Sequence, residues 1–331
     1  TLAQLAVHVM TDAGLTAADW SIDASLSAIT VPYAWFDRMS HREALRKIVA
    51  AALGQCYCTR EGLVRLEVYT PPAATSFSYT LANVFSVDHP LAWSQVVNHV
   101  EAQAQPRVPG VEQVICTDAE AFTVPGLSSL VKTHFFTSSP CIDIVEPVVT
   151  GHADITISAW TAYAWGIAAT YVNANASAQS VTEVEISGKP LEVVGGKIVF
   201  AEDILSIAAN GKQTLSEPIT SEFWQSETTA QAVADALLIA YKDPRRDVIM
   251  QARGNIAQLL GDRVIAPKYR DVVSGDFAVM SQGISYDGGL EVAITAQAIG
   301  AAPVVTAKTL RADVKVTGAF SWMFVILKTL Q

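Results

Sequence analysis

The sequence predicts an α+β, β-rich chain, on three observations. Three stretches carry helical periodicity with recognisable start and stop signals. Most of the remaining apolar residues fall in short alternating runs bounded by Gly, Pro, Asn or Asp, as strands do. The chain has 331 residues, of which 50% are apolar and only 16% charged, enough core for two or three domains without staples.

The most legible stretch is 226–267. Ala230, Val233, Ala234, Leu237, Leu238 and Tyr241 recur at helical spacing on one face, with Gln231, Asp235 and Lys242 opposite. Ser226 or Thr228 can cap the first turn, Glu227 complements the helix dipole, and Pro244 stops the helix near Lys242. Beyond Arg245 and Arg246, Val248 and Met250 alternate with Ile249 and Gln251 as in a strand. Gly261-Asp262 then turns into Arg263-Val264-Ile265.

At the N-terminus Leu2, Leu5, Ala6, Val9 and Met10 share a helix face, with Gly14 placed to end the helix. Residues 32–36 form an aromatic connector expected to anchor the next helix. Ser40-His41-Arg42-Glu43 has the spacing of a capping box and opens a helix through Leu53 that Gly54 closes. A hairpin follows, 55–59 and 63–69 around Arg60-Glu61-Gly62, and then a linker, Pro71-Pro72-Ala73-Ala74.

Residues 85–88 and 95–103 read as strands. In the second, Val96, Asn98, Val100 and Ala102 share one face, while the mostly polar face of Val97, His99, Glu101 and Gln103 is expected to be wet. An irregular β tract at 106–147 leads into a compact all-β stretch at 148–208, with strands at 155–160, 165–172, 181–186 and 197–200. Gly151, residues 173–177, Gly188-Lys189-Pro190 and Gly195-Gly196 space them as in a sandwich. Asp287-Gly288-Gly289 marks a late hairpin, and 302–330 adds further β sequence.

Two blocks carry a family resemblance. The helix ending Tyr241-Lys242-Asp243-Pro244-Arg245-Arg246, its strand and Leu260-Gly261-Asp262-Arg263-Val264 resemble the late domain of tailed-phage baseplate or tail-tip hub proteins. The order of the 44–54 helix, strand, Arg60-Glu61-Gly62 and strand resembles the small α/β domain of the same hub-like proteins. The resemblance implies a small α/β domain, a hub-type β-barrel-like domain and an inserted β-sandwich-like module. The corresponding division is 1–70, 71–105 plus 211–300, 106–210, and a C-terminal β extension at 301–331. The resemblance further implies a homotrimeric ring continuing the tail tube, with the tail tube, other baseplate or tail-fibre proteins and the tape-measure protein as partners. Its place would be the virion tail, assembled in the host cytoplasm. Arg245, Arg246 and Arg263 become candidate subunit contacts. Hub proteins carry a β domain before this point, whereas here almost nothing precedes Leu2, so the expectation is of upstream sequence beyond Thr1.

Composition narrows the chemistry. A net charge of −10 disfavours phosphate binding and sequence-specific nucleic acid, though an acidic wall would keep passing DNA from sticking. The low charge content fits either a surface covered by neighbouring subunits or a β-rich composition of Ala, Val and Thr. The apolar run 320–327 is too short to span a bilayer as a helix and contains Ser321, so no transmembrane segment is expected. Cys56, Cys58, Cys116 and Cys141 read as buried free thiols suited to a reducing cytoplasm. His8, His41, His89, His99, His134 and His152 show no metal spacing, and no nucleophile elbow occurs. Glu183 with Glu185, and Asp118 near Glu120, read as acids on solvated strands rather than a glycosidase pair. No catalytic, cofactor or metal residue is therefore nominated, and a non-enzyme is expected. Trp160 and Tyr163 are candidate receptor aromatics, with core packing between sheets the competing reading. The alternative function is a surface adhesin or carbohydrate-binding module, with a cell-wall hydrolase behind it.

Overall fold

The computed structural model describes residues 1–59, 61–68, 70, 72–90, 96–243, 247–267 and 275–299. The expected extension at 301–331 and the pair Arg245 and Arg246 lie outside the described residues. The chain forms two compact units, one of residues 1–31, 41–104 and 197 onward, the other of 32–40 and 105–196.

In the first unit, α1 (Leu2–Asp12) buries Leu2, Ala6, Val9 and Met10. Thr1 caps it, and Gly14 at φ +81° ends it as Leu15 and Gly14 N–H return to the Met10 and Thr11 carbonyls. After β1 (Trp20–Ile22) and a 3₁₀ turn (Ala24–Ser27), α2 (His41–Ala51) buries Ala44, Leu45, Ile48, Val49 and Ala51. Its C-terminal motif differs from expectation in one residue. Leu53, at φ +55°, takes the left-handed position, while Gly54 donates to the Val49 carbonyl. Glycine is needed at 54 for space, because a Cβ there would sit 2.6 Å from the Glu67 carbonyl oxygen. The hairpin β2 (Gln55–Cys58) and β3 (Val64–Glu67) forms as expected, and β1 joins it in parallel to give the order β1-β3-β2.

Next come β4 (Phe77–Ser78), β5 (Val84–Asp88) and β6 (His99–Ala104). The chain then enters the second unit with β7 (Arg107–Pro109), β8 (Gln113–Asp118), β9 (Phe122–Val124), β10 (Ser129–Phe135), β11 (Cys141–Ile142) and β12 (Val148–Gly151). It continues through β13 (Ile155–Tyr163), β14 (Gly166–Asn173) and β15 (Gln179–Val193). β15 pairs with β7, β8, β9, β11 and β12. It runs straight through Gly188-Lys189-Pro190, where a break was expected, because β11 pairs across Lys189 and Pro190 and a bulge at Ile186/Ser187 re-aims the strand. Gly188 is packing-limited too: a Cβ would lie 2.8 Å from Ile115 Cδ1. The sheet β10-β14-β13 shares a core with β15 through Ile115, Val124, Ile155, Ile167, Ala169, Tyr171, Val181, Val184 and Ile186. Residues 32–40, which include the aromatic connector at 32–36, belong to this unit, where the Arg107 guanidinium lies 4.6 Å from the Trp35 ring centroid.

The chain returns to the first unit as β16 (Lys197–Glu202), α3 (Ile204–Asn210), β17 (Ile219–Thr220) and α4 (Glu227–Tyr241). Two expectations change here. Residues 197–200 pair with β6 and not with the insertion, and 204–210 is helical, opened by the Asp203 side chain accepting from the Ser206 amide. α4 is capped by Ser226 and rests on β6 and β16, so it covers the sheet β16-β6-β17 rather than the strands that follow it. Those strands, β18 (Asp247–Arg253), β19 (Arg263–Ala266), β20 (Gly275–Tyr286) and β21 (Leu290–Ala298), build a half-barrel in the order β4-β19-β20-β21-β18-β5. Val248, Met250, Ala252, Val264, Phe277, Val279, Val292, Ile294 and Ala296 fill its concave side with Tyr79.

Candidate interaction surfaces

Arg263, expected at a subunit contact, leaves β19 toward its neighbour in the sheet. Its Nη2 lies 2.6 Å from Asp276 Oδ2 and its Nη1 donates to the Ala73 carbonyl at 2.9 Å. The ion pair holds the Asp276 carboxyl below the usual range. This guanidinium therefore ties β19 to β20 and to the stretch before β4.

The two candidate aromatics separate. Trp160 is half-buried and packs against the core of its unit. Tyr163 is exposed and stacks on Trp165, with centroids 4.9 Å apart and planes 7° from parallel. Trp165 stacks in turn on Phe135 at 5.6 Å, and the Arg38 guanidinium lies 5.3 Å and 5.5 Å from the Trp165 and Phe135 centroids. Gly166 makes the ladder possible: it is the cross-strand partner of both Phe135 and Tyr163, and a Cβ there would meet the His134 carbonyl oxygen at 2.5 Å. Sequence reasoning missed Arg38 and Phe135. The available signal was a strand glycine flanked by aromatics.

Beneath this sheet lies a polar chain resembling a catalytic relay. Asp118 Oδ2 is 2.7 Å from His134 Nδ1, His134 Nε2 is 2.7 Å from the Tyr171 hydroxyl, and Lys132 Nζ is 3.0 Å from Asp118 Oδ2. A neutral imidazole satisfies it, with Nδ1–H donating to Asp118 and Nε2 accepting from Tyr171. Burial pushes the Tyr171 hydroxyl pKa up, as do the nearby Asp118 and Cys116, and the side chain has no exposed surface. Burial pulls His134 down against the opposing pull of Asp118. Burial works to raise Asp118, but hydrogen bonds from Lys132, the Glu120 amide and His134 leave it below its ordinary value. With the Tyr171 hydroxyl sealed from solvent, Asp118, His134 and Tyr171 orient and satisfy one another inside the core.

His99 corrects the wet-face expectation for β6. It is buried, lies 3.2 Å and 3.1 Å from Glu202 and Glu101, and stacks on Phe200 at 5.7 Å. Carboxylates from two adjacent strands and an aromatic ring enclose it. Cys116 and Cys141 are buried free thiols and Cys56 and Cys58 half-buried ones, with burial pushing the Cys56 thiol up to about 11. Glu183 and Glu185 alternate with buried Val184 and Ile186 on β15. Among the described residues, no group of three His, Cys, Asp or Glu is placed to hold a metal, and no helix is long and apolar enough to cross a membrane.

No protein-family model and no curated protein matches the chain. Among solved structures, the chain is similar to the tail protein from Neisseria meningitidis MC58, with a TM-score of 0.45 and 8% identity over 91% of this chain and 67% of that one.

Proposed function

We propose that the chain is a structural subunit of a phage or phage-derived tail, forming part of a baseplate or tail-tip hub ring that continues the tail tube. The observation that supports this reading is the half-barrel. Among the described residues its terminal strands β4 and β5 each pair on one side only, so the sheet has edges at which a neighbouring subunit can extend it. Phe85 on β5 is 57% exposed, an apolar side chain at the edge where such a neighbour would sit. The same sheet carries the Leu260-Gly261-Asp262-Arg263-Val264 block of the hub resemblance. In this reading the ring is a homotrimer, has no turnover, and contacts tail-tube, tail-fibre and tape-measure proteins. The net charge of −10 would repel DNA phosphates from a lumen wall.

Native mass spectrometry and electron microscopy of the full chain, alone and with a tail-tube protein, test the proposal. A three-fold ring that caps the tube is the expected result. A chain that forms no ring and leaves tube ends bare overturns it. The exposed aromatic ladder favours the adhesin reading, for which glycan binding lost on Tyr163→Ala would be the positive result.

A further inference from the structure

The outer face of the sheet β10-β14-β13 carries no charge. Its register sets out four cross-strand rows: Ser129, Val172 and Thr156; Val131, Thr170 and Ala159; Thr133, Ala168 and Thr161; Phe135, Gly166 and Tyr163. All twelve positions are Ser, Thr, Ala, Val, Gly or aromatic, in a chain with 54 formally charged residues and a net charge of −10. The edge strands leave this face open: Val131 is 65% exposed and Phe135 53%, and Ser129, Thr133, Thr156, Ala159 and Thr161 are exposed too. The water-facing side of a one-sided sheet is normally polar and exposed edge strands normally carry charge, whereas here both edge strands, β10 and β13, present none on this face.

We infer that this face packs against the same face of a second copy of the chain, sheet on sheet about a two-fold axis. Two chains of net charge −10 repel over most approaches, and a sheet face on which no strand presents a charged side chain is where they can meet with the least charge to desolvate. The ends of the face are complementary. Arg38 stands over the aromatic row, while at the opposite end Asp154, two residues before Thr156, keeps its carboxylate 42% exposed although it also accepts from Asn175 Nδ2 at 2.8 Å and lies 3.4 Å from His152 Nδ1. A two-fold axis lying between the two faces and running across the strands brings each copy's arginine end to the other's aspartate end. The β-branched rows suit aligned sheet packing, in which side chains of the two faces interdigitate.

Dimensions set the buried area. The face is about 20 Å long and about 15 Å wide from the usual strand rise and spacing. Such a contact buries on the order of 1,000 Å² in total, near the lower bound for a specific interface. The inference does not depend on the tail reading, since a face-to-face pair differs from a ring closed through half-barrel edges.

Sedimentation velocity of the full chain over a rising micromolar concentration series tests it. Wild type should show a mass that doubles with concentration, the double variant Val131→Lys/Thr161→Lys should lose that step, and Thr295→Lys, on the outer face of the half-barrel, should keep it. Circular dichroism and melting confirm that the variants fold, and Val131→Thr, which keeps the face neutral, should also keep the step. A wild type with no such step overturns the inference. So does a step that survives in the double variant or disappears in Thr295→Lys.

Discussion

The half-barrel and the β10-β14-β13 sheet solve the same inner problem and differ on their outer faces. Each buries one side against aliphatic side chains, Ile294, Val292 and Met250 in one case and Ile167, Ala169 and Tyr171 in the other. Outside, the half-barrel carries exposed Gln251 and Arg253 on β18, with exposed Glu291 on β21 opposite Arg253 in register. The other sheet carries twelve neutral side chains in register. Fold stability accounts for both inner faces. It does not account for the absence of charged side chains on the strands of one outer face, and a contact between copies there would.

The largest test concerns the inner faces. Ile167→Ala and Ile294→Ala remove the same side chain from the central region of each sheet, at sites with 0% and 1% exposure. Each should cost about 2–5 kcal/mol, read by denaturant unfolding. Near-equal losses would support alike cores. A loss below about 1 kcal/mol at either site would mean that its surroundings collapse readily and that the parallel fails.

The polar content of the two inner faces differs, and the next test exploits it. Tyr171→Phe leaves the apolar ring in place but deprives His134 Nε2 of its partner inside the core, so it should destabilise the second unit by about 1–3 kcal/mol. Loss of the pair also removes a reason for the imidazole to stay neutral, so the His134 titration followed by NMR should shift in the variant. An unchanged stability and titration would show that water replaces the hydroxyl.

Acid should separate the units through the same histidine. Its folded-state pKa lies below the ordinary 6.5, so below that value the unfolded chain binds the extra proton first. Its contribution is fully present above pH 6.5 and is lost as pH falls toward the depressed folded value. Asp118, held below 3.8, adds a second loss at lower pH in the same direction. In the first unit Asp203, held down by Lys242, and Asp276, held down by Arg263, predict a loss only below about 3.8. Hydrogen exchange between pH 7 and pH 5 should therefore loosen β10 and β14 before β20 and β21. The reverse order would contradict the assignment of His134 as a buried neutral group.

What the sequence made legible follows from the range of the interactions involved. α4 could be read from its own periodicity and the Ser226 cap, and the β20–β21 hairpin from Asp287-Gly288-Gly289, because local chemistry specifies both. β15 could not be traced through Pro190, since strands distant in sequence hold it there. The Tyr163–Trp165–Phe135 ladder was half visible: two rings are neighbours in sequence, but the third and Arg38 arrive through tertiary pairing. Likewise the neutral face exists only once register is known, because each strand alone reads as ordinary alternation. The 226–267 stretch gave its helix and strands from local pattern, yet the helix covers the sheet β16-β6-β17 while the strands belong to the half-barrel.

The smallest effect concerns the end of α2, where a local rule and a tertiary constraint compete at adjacent residues. The C-terminal motif wants glycine at the left-handed position, but Leu53 occupies it at φ +55° while glycine stands next door at 54. Leu53→Gly should relieve left-handed strain of about 1–2 kcal/mol, offset in part by the greater freedom of glycine in the unfolded chain, for a net gain below about 1 kcal/mol. Gly54→Ala should do the opposite, because its Cβ would be driven against the Glu67 carbonyl at the β2–β3 pairing, with a loss of about 1–3 kcal/mol. Thermal melts of the two variants give the signs directly. A destabilised Leu53→Gly would mean that the half-buried leucine side chain contributes more through packing than its backbone costs in strain.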